Sequence, residues 1–245
     1  MAEGKGLVTG RRAVLELLRA DGGAERVYLA HDLAPSQALG EIRRRAAQAA
    51  IPVRSVPKAE LDRLTGGLNH QGVAARTGPY RYVSLHSILG SRPARVLVLD
   101  GVMDPHNLGS LLRSACVAGF DGVVIPARRA VGVTDAVRRV SQGAAELVSV
   151  ARVSSLGAAL AEVAAAGLWV VGLDEAAGDP LWSSPSLEPP VALALGAEDR
   201  GLSSATKNRC DALVRIPARG SLRSLNVAVA GAVAMFEVAR RGKPF

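Results

Sequence analysis

The sequence predicts an α/β protein built around a mostly parallel sheet. Short apolar runs of strand length alternate along the chain with longer segments that have helical spacing. Two apolar runs, residues 96–99 and 169–171, contain no polar residue, which is typical of strands that helices cover on both sheet faces. Residues 79–94 contain prolines and serines without a clear period. This composition predicts a linker between a small N-terminal α/β domain and a larger C-terminal domain.

The N-terminal domain is predicted to span residues 1–78, where strands and helices alternate. Val14, Leu17 and Leu18 share one face of the first predicted helix. Three consecutive arginines at 43–45 lie on a later helix, and such a run is more often a solvated helix face than a binding site. The predicted elements are helices at 10–18, 39–50 and 58–64, and strands at 26–30, 52–56 and 72–76.

The C-terminal domain is predicted to span residues 95–245 and continues the alternation. Ser224 is the predicted N-cap of its last helix, because a serine hydroxyl can accept a hydrogen bond from the first helical amides. Residues 180–190 are rich in proline and serine and predict a surface loop. The predicted strands are 96–100, 122–125, 168–173, 191–196 and 212–216, and the predicted helical segments are 107–118, 135–147, 155–166 and 225–241.

The composition favours a nucleic-acid partner in a reducing compartment. The formal net charge is +8 and the isoelectric point is about 10.3, which favours a polyanionic partner, although a basic surface can also serve solubility alone. Aromatic residues make up only 3%, which argues against recognition by many stacking platforms. Cys116 and Cys210 form no C-x-x-C pair, and the four histidines have no metal-ligand spacing, so no metal is expected. No apolar run reaches the length of a membrane span, so we expect a cytoplasmic protein without membrane association.

Three polar segments follow three of the predicted strands. Residues 99–115 include Asp-Pro-His-Asn, residues 193–202 include Gly-Ala-Glu, and residues 216–230 include Ser-Leu-Asn. A loop between a strand end and a helix start presents unpaired backbone N–H groups, a usual place for ligands in α/β sheets. Each segment alone is also compatible with a capped helix packed on a sheet.

Together and in this order, the three segments resemble the motifs of the SpoU/TrmH family of RNA 2′-O-methyltransferases, within the SPOUT class. Near the N-terminus, Gly6-x-x-x-Gly10-Arg11 and the segment Asn-His-Gln-Gly-Val at 69–73 resemble the ends of the family's substrate-binding domain. The resemblance implies a SPOUT-type α/β knot, preceded by a domain that is similar to a ribosomal protein fold and recruits RNA. It also implies a homodimer formed through the knotted domain and S-adenosylmethionine as the cofactor.

The same resemblance implies roles for individual residues. The expected catalytic residues are Asn107, Arg113, Glu198, Ser224 and Asn226. The expected cofactor-binding residues are Leu195, Gly196, Ala197, Ile216, Pro217 and Leu225, largely through backbone groups. The expected RNA-binding residues are Arg11, Arg12 and Arg113. Family members often carry a further serine where this chain has Ala228, so one polar contact is expected to be missing.

Arg113 is better suited to holding RNA than to removing a proton. The guanidinium group has a pKa above about 12 and stays protonated in proteins. As a cation it can hold the target phosphate and stabilise the alkoxide that develops on the ribose, which leaves Glu198 or an ordered water to take the proton. Without the other motifs, a helix-surface salt bridge would be the better interpretation of Arg113. His70 is as compatible with a structural role in a turn, bonded to the backbone, as with a functional role in the substrate-binding domain.

The resemblance is greatest to the branch that methylates a guanosine of 23S ribosomal RNA. This follows from the full-length match, which includes the segment Gly-Ala-Ala-Glu at 143–146 and the His-Gln-Gly sequence at 70–72. A tRNA-directed enzyme is the nearest alternative. From another class, a catalytically silent RNA-binding or ribosome-assembly factor could share the fold, although the intact polar residues of the three motifs argue against it.

Overall fold

The computed structural model describes residues 6–20, 23–92, 94–221 and 224–242, and two compact units divide the chain. The first unit comprises Met1–Arg81 and Val133–Leu147, and the second comprises Tyr82–Gly132 and Val148–Phe245. The strands are β1 (Gly6–Thr9), β2 (Ala24–Ala30), β3 (Val53–Val56), β4 (Val73–Thr77), β5 (Arg95–Asp100), β6 (Gly122–Pro126), β7 (Ser149–Val153), β8 (Trp169–Leu173), β9 (Asp179–Pro180), β10 (Val191–Gly196) and β11 (Ala212–Arg215). The α-helices are α1 (Arg11–Arg19), α2 (Gln37–Gln48), α3 (Lys58–Thr65), α4 (Leu85–Gly90), α5 (Pro105–Val117), α6 (Asp135–Val140), α7 (Ala144–Leu147), α8 (Leu156–Ala165), α9 (Ser204–Lys207) and α10 (Val227–Arg241).

The first unit is built on a four-stranded mixed sheet in the order β1–β4–β2–β3. β4 runs antiparallel to both of its neighbours, and β2 and β3 are parallel. Helices α1 and α2 cover one face, where Leu17 and Ile42 are fully buried with Val27. Helix α3 covers part of the other face and buries Leu61 against Tyr28. The alternation of side chains across each strand therefore supplies two small cores.

Helices α6 and α7 also belong to the first unit, although they lie far along the chain. Arg138 of α6 is 3% exposed, and its Nε donates to Oε1 of Glu146 at 2.6 Å. Its Nη1 donates to Oγ1 of Thr77 at 2.5 Å, and the guanidinium lies over the ring of Tyr80. A buried charge of this kind is tolerated only when it is paired and hydrogen-bonded. The chain consequently passes between the two units three times, near residues 81, 132 and 147.

The second unit contains a seven-stranded sheet in the order β7–β6–β5–β10–β8–β11–β9. All of its strand pairs are parallel. Its central strand β10 is buried along its whole length, and Leu97 and Val170 on the neighbouring strands are also fully buried. These observations confirm the predicted α/β fold with a mostly parallel sheet. In the described ranges, no helix is long and apolar enough to cross a membrane.

Several elements differ from the sequence prediction at sheet edges and in short segments. Strands β1 and β7 were not expected from the sequence, and they are short edge strands of four and five residues. The predicted linker 79–94 contains α4, which Ser84 caps and which buries Leu85 and Ile88 in the core of the second unit. The predicted surface loop 180–190 likewise contains a short 3₁₀ helix (Pro185–Leu187) and two fully buried leucines.

Candidate active site in the second unit

The three motifs meet at one edge of the parallel sheet. Because β5, β10 and β11 are parallel, their carboxyl ends lie at the same edge, and each motif begins there. Asp100, the last residue of β5, pairs in register with Gly196, the last residue of β10. Oδ2 of Asp100 accepts a 2.8 Å hydrogen bond from the backbone N–H of Ser203, which ties the loop after β10 to the end of β5.

A pocket of about 520 Å³ opens at this edge, a size in the usual range for small-molecule sites. All six expected cofactor-binding residues line it, together with the expected catalytic residues Glu198 and Ser224. Asn107, Asn226 and Arg113 are not among its lining residues. The remaining lining residues are Leu173, Asp174, Glu175, Ala176, Asp199, Arg200, Gly201, Leu202, Lys207, Ala218, Val227 and Ala230.

Gly196 allows the loop after β10 to fold back tightly on itself beside the pocket. A Cβ atom at this position would lie 1.9 Å from the carbonyl carbon of Gly201 and 2.1 Å from the backbone N of Leu202. Ala197 and Gly201 exchange two backbone hydrogen bonds of 3.1 and 3.0 Å, which close the loop. No side chain fits between these backbone segments, so the glycine is required by the loop itself. Gly196, expected from the resemblance to bind the cofactor, thus also has a role in the backbone of this loop.

A chain of hydrogen bonds links the third motif to the first and the first to the second. Oδ1 of Asn226 accepts from the backbone N–H groups of Ala228 at 2.9 Å and Val229 at 3.4 Å. Its Nδ2 then donates to Oδ1 of Asn107 at 3.0 Å. Nδ2 of Asn107 in turn donates to Oε1 of Glu198 at 2.7 Å. The backbone N–H groups of α10 require the Asn226 oxygen as their acceptor, which fixes the orientation of the Asn226 side-chain amide. The Asn226 N–H group then fixes the orientation of the Asn107 amide, so that Asn107 donates to Glu198.

The same contacts correct the predicted helix cap. Asn226, rather than Ser224, is the N-cap of α10, and Ser224 is exposed two residues earlier. Asp104 caps α5 by accepting from the N–H of His106 at 3.0 Å, which places Asn107 in the first turn of that helix at 8% exposure. The N-termini of α5 and α10 therefore meet at the Asn107–Asn226 pair. The positive end of a helix dipole favours nearby negative charge such as the Glu198 carboxylate.

Close packing of the two helices holds this pair in place. A Cβ atom on Gly231 would lie 2.5 Å from Cδ2 of Leu111 on α5 and 2.6 Å from Cδ1 of Leu195 on β10. Any larger residue there would push α10 away from both elements. Ala228, where the family often has serine, is buried at 8% exposure beside the helix cap.

An ion pair between Asp174 and Lys207 lines the pocket and was missed in the sequence. Burial raises the pKa of Asp174, but the hydrogen bond and charge of Lys207 and the N–H of Ala176 outweigh it, so the pKa lies below its ordinary value. Asp174 directly follows β8, an apolar strand that was predicted. The rule that polar residues after parallel strands meet at one edge could have found it. Its partner, 33 residues further on, gave no sequence signal.

Two arginines lie near the motifs with exposed side chains. Arg113 is on α5 and makes no ion pair within the described residues, so the structure does not join it to the Asn107–Glu198 hydrogen-bond chain. Arg200, which the sequence argument did not single out, lines the pocket. Its Nη2 is 2.6 Å from the place that a Cβ atom on Gly101 would occupy, where the φ angle of +88° favours glycine. Both positive charges are therefore available to a bound anion.

Of the three candidate residues in the first unit, Arg11 and His70 form hydrogen bonds within that unit. Nε of Arg11 donates to the carbonyl of Gln71 at 3.1 Å, and its Nη1 donates to Oγ of Ser36 at 3.4 Å. His70 is buried, accepts from the N–H of Gly72 at 2.9 Å and bonds Asp62 through Nε2 at 2.8 Å, which supports the structural-turn interpretation. Arg12, by contrast, is exposed.

Comparison with known protein families covers nearly the whole chain. The model of the SpoU rRNA Methylase family matches residues 94–236, and the model for RNA 2′-O ribose methyltransferase substrate binding matches residues 7–83. An uncharacterized tRNA/rRNA methyltransferase of Mycolicibacterium paratuberculosis is 41% identical over 96% of this chain and 77% of its own length. A Bacillus subtilis protein, assigned by its name to the TrmH family of tRNA/rRNA methyltransferases, is 36% identical over 100% of this chain and 99% of its own.

A solved structure extends the comparison to a bound cofactor. The SpoU methyltransferase AviRb from Streptomyces viridochromogenes, in complex with the cofactor AdoMet (S-adenosylmethionine), is 26% identical. It superposes with a TM-score of 0.80 over 97% of this chain and 90% of its own. The two family matches, the full-length relatives and the shared fold lead to one conclusion. The chain belongs to the SpoU family of RNA methyltransferases.

Proposed function

We propose that this protein transfers a methyl group from S-adenosylmethionine to the 2′-hydroxyl of a ribose in RNA, and that its target is a guanosine of 23S ribosomal RNA. The observation that carries the proposal is the hydrogen-bond chain from the cap of α10 through Asn226 and Asn107 to Glu198. It orients a carboxylate at the mouth of a cofactor-sized pocket, where a proton acceptor is required.

The pocket fits S-adenosylmethionine in size and in chemistry. Loops from β8, β10 and β11 form its wall, so backbone groups of Leu195, Ile216 and Leu225 are available for the adenosine. The carboxylates of Asp174 and Glu175 are available for the ribose hydroxyls and for the ammonium group of the methionine part of the cofactor. When bound, the sulfonium group supplies an electrophilic methyl. The relative with bound AdoMet supports this assignment.

Three residues of the motifs are assigned separate roles in the methyl transfer. Oε1 of Glu198 is occupied by Asn107, and within the described residues its other oxygen has no hydrogen-bond donor, so we assign Glu198 the ribose proton. Arg113 holds the RNA phosphate and stabilises the developing alkoxide, and Ser224 contacts the ribose or the cofactor. Aligning a nucleophile and a methyl donor can contribute about 7–11 kcal/mol to barrier lowering. Positioning rather than acid–base strength is therefore the main contribution of the protein.

The substrate assignment rests on the first unit and on the names of the relatives. The match to a substrate-binding model over residues 7–83 supports ribose 2′-O chemistry and RNA recruitment by this unit. The relatives are named for both tRNA and rRNA, so tRNA is the second candidate substrate. The net charge of +8 fits either RNA. We place the reaction in the cytoplasm.

We also propose that the active protein is a homodimer with a knotted second unit. Val229 and Phe236 on α10 are 50% and 43% exposed, and with Val233 they form an apolar stripe at helical spacing. Met235 of the same helix is fully buried within the chain and belongs to the core. Sedimentation equilibrium at micromolar concentration should give twice the mass of the chain, whereas a monomer would contradict the dimer.

Calorimetry and methyl transfer test the proposal directly. Titration with S-adenosylmethionine should show one site per chain, which a silent assembly factor with a closed pocket would lack. Labelled methyl from S-adenosylmethionine should then appear in an unmodified 23S rRNA transcript and not in a tRNA mixture at equal mass. Absence of cofactor binding would favour the silent factor, binding without any transfer would contradict the proposed reaction, and transfer to tRNA alone would favour the second candidate.

A further inference from the structure

We propose that the open end of the first unit's sheet, at Arg26 and Arg76, binds the phosphate backbone of the RNA substrate. This inference rests on the proposed function, because it names the surface through which the first unit would recruit RNA. It moves the RNA contact away from the arginines that the sequence singled out. The argument begins with the register of the two central strands.

Arg26 of β2 and Arg76 of β4 are direct partners across the antiparallel pair. Directly opposite residues have Cβ atoms about 4.5–5.5 Å apart, and like charges at that spacing are destabilising. Arg26 is exposed and Arg76 is half-buried. Within the described residues, neither side chain has an ion pair or a hydrogen bond to an acid. An anion bound between the two guanidinium groups would remove their repulsion.

The two arginines occupy a part of the sheet face that α3 leaves open. They share the face of Tyr28 and Ala74, which lie two residues away along their strands and are buried beneath α3. Leu7 pairs with Arg76 on the other side and extends the same row. A third arginine, Arg81, is exposed, with its Nε 3.9 Å from the place that a Cβ atom on Gly23 would occupy, just before β2. The sheet therefore presents a basic row at one end.

Several other arginines of this unit are engaged by internal contacts. Arg44 and Arg45 both bond Glu41, with contacts of 2.8 and 2.7 Å. Arg54, the nearest arginine on the same face, contacts Glu60 at 3.3 Å. Arg11 is engaged by Gln71 and Ser36. Within the described residues, the helical arginines 12, 43, 63 and 139 also make no ion pair, but Arg26 and Arg76 differ from them in facing each other directly across two strands. Glu25, which the bulge in β2 places beside Gly78, lies close along the strand.

RNA fits this pair better than an acidic protein surface does. The guanidinium fork binds phosphate oxygens in a bidentate manner, and successive phosphates along a strand offer matched acceptors to adjacent arginines. The chain belongs to a family of RNA methyltransferases, so the polyanion that it must hold is RNA. An acidic protein would need carboxylates placed in the same row, and this alternative becomes an outcome of the test.

The test compares RNA affinity across a salt series for three full-length proteins. Unmodified 23S rRNA transcript is titrated against wild type, against Arg26→Gln with Arg76→Gln, and against the matched control Arg44→Gln with Arg45→Gln. Each phosphate contact adds about 0.7 to 0.9 to the magnitude of the logarithmic salt slope. The sheet variant should therefore lose about 1.4 to 1.8 of slope, which corresponds to roughly 25- to 60-fold weaker binding at 0.1 M salt. The control removes the same charge and should keep the wild-type slope.

Three further readouts separate this role from a structural one. The sheet variant should unfold at the same temperature as wild type or higher, because a repulsive pair has been removed. Its affinity for S-adenosylmethionine should be unchanged. Arg26→Lys with Arg76→Lys, which keeps both charges, should restore the salt slope. If the glutamine variant does not fold, the single exposed change Arg26→Gln should lower the slope by about half as much.

Coincident salt lines for wild type and the sheet variant would overturn the inference. A variant that keeps RNA binding but loses binding of poly-glutamate would also overturn it, in favour of an acidic protein partner. These failures are distinct from a failure of the proposed function. If wild type binds RNA through the two arginines yet forms no 2′-O-methylated nucleoside, the surface is supported and the reaction is not.

Discussion

The substitution Asn226→Asp separates the structural and the catalytic use of one side chain. Asparagine and aspartate are equally good N-caps, so the carboxylate can still accept from the N–H groups of Ala228 and Val229. It cannot donate to Oδ1 of Asn107, where the native contact is 3.0 Å. If the Asn107 amide turns to donate to the new carboxylate, its oxygen faces Glu198, so one link is lost in either case.

The expected loss follows from that link. A hydrogen bond that involves a charged group contributes about 1.5–3 kcal/mol, so misorienting Glu198 should reduce turnover roughly 10- to 150-fold. The helix cap survives, and the midpoint of thermal unfolding should therefore stay near the wild-type value. The matched change Asn226→Ala removes the cap as well. It should cost about 1 kcal/mol of stability and lower the midpoint by about 2–4 °C.

The assay measures transfer of labelled methyl to a 23S rRNA transcript at saturating S-adenosylmethionine, with thermal unfolding of the same samples. Wild-type turnover in Asn226→Asp would refute the reasoning, because the carboxylate breaks the chain of donors. An equal fall in the unfolding midpoint for both variants would refute it as well, since the cap would then not be what distinguishes them.

Three further results are expected. Arg113→Ala should lose methyl transfer but keep most of its affinity for S-adenosylmethionine in calorimetry. Gly196→Val places a side chain against the backbone at 201–202, so it should lose affinity for S-adenosylmethionine and have a lower unfolding midpoint. Equal affinity losses in the two variants would contradict the assignment of Arg113 to RNA and Gly196 to the cofactor site. Burial, with the nearby carboxylates, raises the pKa of Cys210 to about 11, so iodoacetamide at pH 8 should leave it unmodified in the native protein and alkylate it in guanidinium; rapid native modification would contradict this. The pKa of Asp174 is depressed in the folded protein, so the ionised carboxylate contributes stability above about pH 4, and this contribution is lost as the pH falls through the pKa of the folded state. The free energy of unfolding, measured from about pH 6 to about pH 2.5, should therefore fall more steeply for wild type than for Asp174→Asn. Parallel curves would argue against the ion pair with Lys207.

The sequence could predict the elements that depend on local pattern. Helix α1 and the buried strand β10 have unambiguous periods, and the structure places them within a few residues of the expected bounds. The meeting of the three motifs could also be predicted, because parallel strands with polar residues at their ends bring those ends to one edge. All six expected cofactor residues consequently line the same pocket.

The remaining features depend on contacts between distant residues. The cap of α10 is Asn226 rather than Ser224 because the amide can satisfy both the helix and Asn107, which lies 119 positions earlier. Residues 133–147 join the first unit through Arg138, whose partner Thr77 is 61 positions away. A truncation that begins near residue 92, which a linker at 79–94 would permit, would therefore remove the packing partners of α6 and α7.

Identification of the methylated nucleoside tests the central claim most directly. An unmodified 23S rRNA transcript is incubated with the protein and S-adenosylmethionine, digested to nucleosides and analysed by mass spectrometry, with Asn226→Asp, sampled at the same early times, as the control of reduced turnover. We expect 2′-O-methylguanosine, in an amount near one per transcript with wild type and far less with the control. Methylation on a base, or no methylated nucleoside from a protein that binds both S-adenosylmethionine and RNA, would contradict the account.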